Sequence, residues 1–180
     1  MRRLGRVFFE GALSDVVELP EAETKKLKNV LRAKQGDAVE ILTEDFIASA
    51  ELGAIGKRSV QAFIKDKRPI NKPDYKLTAY QCAAKRGYMD FIIEKYSELG
   101  VTDIVPVVSA RCLNVFKGGA MERWKIIARE AALQCERETV ADIHQPIKLE
   151  RIKAAASDNI LFHERLGKQT MPSVTGRDIA

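Results

Sequence analysis

Apolar and polar positions alternate in short runs over the first seventy residues, and then the period changes. "RVFFE", "AVEILTED", "FIASAELGAIG" and "RSVQAFIKDK" each read as a strand, with glycine and charged turns between them. "PEAETKKLKNVLRAKQGD" opens on Pro20 with acidic residues behind it and closes at Gly36, the punctuation of a helix. Several short strands and one helix in so short a stretch predict a small barrel. "RPINKPDYK", with its two prolines, predicts a linker.

After the linker, "KLTAYQCAA" reads as a strand, "MDFIIEKYSELG" as a helix and "DIVPVVSA" as a strand. "AMERWKIIAREAALQCERE" is a longer helix, and "NILFHE" a near-continuous apolar strand. Strands alternating with helices predict a parallel α/β layer buried on both faces. In the first of these helices Met89, Ile92, Ile93, Tyr96 and Leu99 recur at helical spacing, and Gly100 stands where a left-handed C-cap is needed. Lys95 and Glu98 lie off that stripe at i, i+3. In the longer helix Trp124, Ile127, Ala128, Ala131 and Cys135 form the predicted buried stripe, with Cys135 a small apolar filler. Glu130, Gln134 and Arg137 follow at i, i+4 and i+7 on a neighbouring face. Spacing alone leaves both charged sets open: a functional face, or surface partners of little energetic consequence.

Composition narrows the class. Of 180 residues, 30 are Lys or Arg and 25 Asp or Glu, a net charge of +5 that favours a polyanionic partner. The excess is concentrated in residues 1–35 and 57–76. Three cysteines without C-x-x-C spacing argue against a disulfide scaffold or a zinc site and for a reducing compartment. His144 and His163 are the two histidines, so no metal-ligand cluster assembles from the sequence. Glu10 and Asp15 interrupt any signal-peptide core, and no apolar run approaches the ~20 residues of a membrane helix. A cytoplasmic protein is expected.

Taken in order, three segments resemble the RsmE-type methyltransferases, which modify a uridine N3 of small-subunit (16S) ribosomal RNA. They are "NVLRAKQGDAVEIL", "FIIEKYSELGVTDIVPVVSARC" and "RWKIIAREAALQCER". The family's V-L-R-x-x-x-G-D motif falls on Val30, Leu31, Arg32, Gly36 and Asp37. Its lysine and E-L-G-V fall on Lys95 and residues 98–101, its arginine-cysteine pair on Arg111 and Cys112, and its tryptophan helix on Trp124, Glu130, Ala131, Gln134 and Arg137.

The resemblance implies an α+β / α/β chain: a PUA-like RNA-binding barrel over residues 1–70, then a SPOUT-type α/β-knot domain with a parallel sheet over 71–180. It also implies S-adenosylmethionine as cofactor and a homodimer. The family continues past a "GRDIA"-like strand into a glycine-rich knot segment, so this chain is expected to be a fragment ending before it. Glu130, Gln134 and Arg137 are then the expected catalytic face, and His163 and Glu164 the expected border of the cofactor loop. Arg2, Arg3, Arg6, Lys28 and Arg32 are expected on the barrel's RNA face, with Lys25 and Lys26, and Lys85, Lys95 and Arg111 at strand or helix ends of the α/β layer. A non-catalytic RNA-binding or ribosome-assembly protein is the competing expectation.

Overall fold

The computed structural model describes residues 2–84, 86–110, 112, 116, 118–153, 156–162 and 173–180, with Arg86 described by its backbone alone. The chain divides into two units, Met1–Lys72 with Leu133–Thr139, and Pro73–Ala132 with Val140–Ala180.

Five strands form the sheet of the first unit: β1 (Arg3–Phe8), β2 (Val16–Leu19), β3 (Ala38–Leu42), β4 (Phe46–Ile55) and β5 (Val60–Pro69), in the order β1-β3-β4-β5-β2. β1 runs parallel to β3, and the other pairs are antiparallel. Val7, Leu19, Ile41, Leu52 and Val60, one from each strand, are fully buried in one apolar cluster. Each contributes roughly 1.5–3 kcal/mol by leaving water. Because both edge strands feed the same cluster, the sheet curls around its own interior as a barrel does. Two register shifts in the β4–β5 pair, between Ser49 and Ala50 and between Leu52 and Ile55, supply local bending.

The helix expected between Pro20 and Gly36 is shorter and less regular. α1 (Glu21–Lys25) gives way to a π-helical turn over Lys26–Val30, and Arg32 then takes a left-handed backbone with φ of 51°. The wide turn keeps Leu27 fully buried while its carbonyl accepts from the Ala33 amide at 2.9 Å. Burial of Leu27 sets the local path in place of helical periodicity.

The second unit is built on parallel pairs. β6 (Lys76–Cys82), α2 (Arg86–Leu99), β7 (Asp103–Val108), α3 (Ala120–Gln134) and β8 (Asp142–Ile143) alternate along the chain, followed by β9 (Ile147–Lys148) and β10 (Asp178–Ile179). β7 is central, with β6 and then β10 on one side and β8 and β9 on the other. Its four middle residues are buried. The gap between β8 and β9 falls at Val105 and Pro106, and proline has no N–H to offer a ladder there.

The helix stripes need correction. Met89 and Ile93 are buried and Gly100 takes the left-handed C-cap with φ of 93°, but Leu99 is 77% exposed. Ser97 takes the buried place, its hydroxyl donating to the Ile93 carbonyl at 2.8 Å. Trp124, Ala128 and Ala131 are buried on α3, whereas Cys135 lies past the helix end and is exposed. "NILFHE" is not a regular strand where it is described. Asp158 makes one parallel bridge to Ile179 and Ile160 donates to the Ala180 carbonyl, but Leu161 and Phe162 stand about 80% exposed, with no strand among the described residues facing them.

Candidate active site

Two consecutive β-α-β units place the carboxyl ends of β6 and β7 on one edge of the parallel sheet, where open α/β sheets bind ligands. The Cys112 thiol anchors the turn after β7: its sulfur is 3.3 Å from both the Ser109 amide nitrogen and the Ser109 hydroxyl, and 4.0 Å from the Ala83 carbonyl that follows β6. The Ser109 hydroxyl, and then its amide, hold the thiol below its ordinary range. On β6, Gln81 accepts from the Tyr96 hydroxyl at 2.9 Å, tying α2 to this edge, and burial pushes the Tyr96 phenol up.

The cofactor implied by the resemblance can be tested against this edge. Residues 158–160 run parallel to β10, which is parallel to β6, so Leu161 and Phe162 continue toward the carboxyl side of the sheet. There they offer exposed apolar surface. The residues that follow β6 and β7, Ala83, Ala84, Ser109 and Ala110, have small side chains. Exposed apolar side chains and small residues toward this edge suit the flat base of an adenosyl group. His163 and Glu164, the expected cofactor residues, follow Phe162 in the chain but lie outside the described residues, as do Lys85 and Arg111.

α3 is held to α2 by Asp90, whose carboxylate pairs with Arg123 and accepts from the Trp124 indole at 3.2 Å. Glu130 and Gln134 are exposed one turn apart on α3, so they share a face. Arg137 does not continue that face. The helix ends at Gln134 and Glu136 turns left-handed with φ of 58°, which breaks the i, i+7 relation. Because α3 leads from the end of β7 back to the start of β8, its last turns lie toward the amino edge of the sheet. The α3 face and the carboxyl edge are therefore separate places in one chain.

From the last turn of α3 onward, the segment Leu133–Thr139 belongs to the first unit. Arg68 donates twice to the Glu138 carboxylate, at 2.9 and 2.6 Å, the Asn71 amide donates at 2.7 Å, and Arg6 donates to the Arg137 carbonyl at 3.2 Å. The Arg68 hydrogen bonds, and then that of Asn71, lower Glu138 to about 2.

The expected RNA-contacting residues divide into two kinds. Arg6 is turned inward: its side chain is 8% exposed and pairs with Glu40 at 2.6 Å. The same carboxylate takes Arg3 at 2.6 Å, so neither arginine offers an isolated charge. Lys95 bridges Glu94 at 2.7 Å and Glu98 at 2.8 Å, with its amine over the Phe91 ring, and those carboxylates hold its pKa up. Arg2 and Arg32 are exposed, and Lys28 donates to the Gly56 carbonyl at 2.9 Å. Sequence reasoning passed over Lys57 and Arg58 individually, although their segment stood out as basic. A cleft of about 570 Å³ elsewhere in this unit is lined by Glu10, Glu44 and Asp45 as well as Phe9, Phe46 and Lys67. Three carboxylates to one lysine make it a poor seat for phosphate.

Residues 71–178 match the family model for the RNA methyltransferase domain, and residues 19–65 match that for the RNA methyltransferase PUA domain. The chain belongs to the RNA methyltransferase family. Within that family it is 29% identical over 154 residues to the ribosomal RNA small subunit methyltransferase E of Buchnera aphidicola subsp. Schizaphis graminum (strain Sg), covering 81% of this chain and 62% of that protein. It is 26% identical over 160 residues to the same-named protein of Aquifex aeolicus (strain VF5), covering 87% and 69%. The chain thus spans less than two thirds of the Buchnera relative's length.

Among solved structures, a ribosomal RNA small subunit methyltransferase E from Neisseria gonorrhoeae, bound to S-adenosylmethionine, matches with a TM-score of 0.76 and 26% identity, over 98% of this chain and 78% of that one. A Legionella pneumophila methyltransferase crystallised with the same cofactor matches with a TM-score of 0.82 over 99% and 78%, and at 22% identity shows the fold alone. The family resemblance read from the motifs and the expected fold class, a PUA-like sheet followed by a SPOUT-type parallel layer, are both borne out.

Proposed function

We propose that this RNA methyltransferase acts on small-subunit ribosomal RNA, methylating a uridine at N3 with S-adenosylmethionine as donor. The observation that carries the reading is the family match over the parallel layer, joined to small side chains at its carboxyl edge. The relatives' names supply the RNA and the Neisseria neighbour supplies the cofactor. Residues 1–70 are assigned to RNA binding and 71–180 to methyl transfer.

When bound, S-adenosylmethionine supplies an electrophilic methyl group whose bond to sulfur breaks as the bond to N3 forms. The chain's residues must present an unstacked uracil, since N3 is inaccessible inside a helix. They must also remove its proton and hold the line of attack, where orientation yields much of the rate. Glu130 takes the N3 proton or orients the base, Gln134 bonds a base edge, and Arg137 faces a phosphate or an oxygen bearing developing charge. Lys85 and Arg111 are assigned to RNA positioning, and His163 and Glu164 to the cofactor. Because the α3 face and the carboxyl edge lie apart in one chain, we read the working unit as a homodimer in which one copy's α3 serves the other's edge. The cytoplasm, where ribosomal RNA and the cofactor meet in reducing conditions, is the assigned compartment.

The test is transfer of a labelled methyl group from S-adenosylmethionine to unmodified small-subunit RNA, with the product nucleoside identified by mass. Label in N3-methyluridine supports the reading. RNA that stays unlabelled, or is labelled at another base atom, overturns it.

A further inference from the structure

Lys57 and Arg58, two cations of the first unit, join Lys28 and Arg32 of the expected RNA face. The β4–β5 turn, residues 56–59, is closed by the Gly56 amide donating to the Ser59 carbonyl at 2.9 Å. That bond leaves Lys57 and Arg58 at its tip, both exposed. Lys28 donates to the Gly56 carbonyl at 2.9 Å, which fixes a third cation beside the turn.

The chain after Lys28 is held alongside the same strand. The Gly36 amide donates to the Leu52 carbonyl and the Leu52 amide to the Asp37 carbonyl, each at 2.8 Å, so Arg32 projects from a segment lying against β4. Arg32 keeps a left-handed backbone with φ of 51°. Nearby Lys25 is cancelled by Glu21 at 2.8 Å. Glu18 sits across from Gln61 on the adjoining strand and Asp37 follows Arg32 on its segment, and these two carboxylates leave the four cations net positive.

β4 separates this group from charge of the opposite sign. Its ten residues span about 33 Å at roughly 3.3 Å per residue. At the far end, the β3–β4 turn carries Glu44 and Asp45 on the acidic cleft. The field along the strand attracts a polyanion to one end and repels it from the other.

We propose that Lys57 and Arg58, with Lys28 and Arg32, form a ridge at the β4–β5 turn that contacts RNA phosphates and fixes which end of the barrel RNA approaches. The proposal rests on the RNA-directed reading above and moves the RNA face away from Arg3 and Arg6, which share the Glu40 carboxylate and keep a single net positive charge between them.

The experiment measures affinity for a single-stranded ribo-oligomer against salt concentration. It compares the wild type, Lys57→Ala/Arg58→Ala, and Lys72→Ala as a lysine beyond the opposite end of β5. Two lost phosphate contacts at about 0.7 each lower the slope of log affinity against log salt by about 1.4 in the double variant, while Lys72→Ala keeps the wild-type slope. Thermal melting read alongside separates lost contacts from lost fold, and Lys57→Gln/Arg58→Gln must reproduce the change. A wild-type slope in a folded double variant overturns the ridge and leaves the RNA reading standing. A wild type with no salt-dependent RNA affinity overturns both.

Discussion

Arg3 and Arg6 both reach Glu40 at 2.6 Å, and the pairing follows from register, since Arg6 lies opposite Glu40 in the β1–β3 pair. A sequence displays the charges but not the register that pairs them. The same holds for Glu138, which Arg68 and the Asn71 amide bring down to about 2 from an ordinary 4.5. A carboxylate with a lowered folded value stabilises the fold above its unfolded value and loses that contribution as pH falls. Stability of the wild type should therefore drop between about pH 4.5 and pH 2, and Glu138→Gln, weaker at neutral pH, should drop less steeply there. Denaturant midpoints across that window check it, and parallel curves for the two proteins would contradict it. For chemistry, Glu130→Gln should lower kcat by about 10²–10⁴ with little change in RNA affinity, the signature of a lost proton acceptor. An equal loss of affinity would make Glu130 an RNA-binding residue. Legible at this scale were residue types and motif positions; partners were not, because Arg137 leaves the Glu130 face only through the left-handed Glu136 beyond the helix end.

At the scale of elements, periodicity located every long strand and helix and failed at short or irregular ones. β2, four residues long, lacked the length to stand out, and the π-helical turn at Lys26–Val30 obeys the burial of Leu27. α2 shows both outcomes. Met89 and Ile93 were legible as its buried row, but Leu99 gave way to Ser97, because a serine whose hydroxyl bonds the Ile93 carbonyl can be buried at little cost. Ile93→Ala should thus cost about 2–5 kcal/mol, while Leu99→Ala should change stability by no more than about 0.5 kcal/mol. Urea unfolding of the two variants separates them, and equal losses would restore the simple stripe. "NILFHE" misled because an apolar run cannot announce whether a partner strand faces it, and none among the described residues faces Leu161 and Phe162.

For the whole molecule, the order of elements was the most legible feature: a strand-rich segment, then alternating helices and strands. That order follows from backbone hydrogen bonding and burial, which periodicity encodes directly. The grouping of Leu133–Thr139 with the first unit was not legible, because it depends on Arg6, Arg68 and Asn71 reaching residues more than sixty positions away. No helix among the described residues is long and apolar enough to cross a membrane. The central claim is that this RNA methyltransferase modifies uridine N3 in small-subunit ribosomal RNA. The most direct measurement is nucleoside mass spectrometry of that RNA from cells with the gene intact, deleted and restored. The account predicts that N3-methyluridine disappears on deletion and returns on restoration; an unchanged level in the deletion would contradict it.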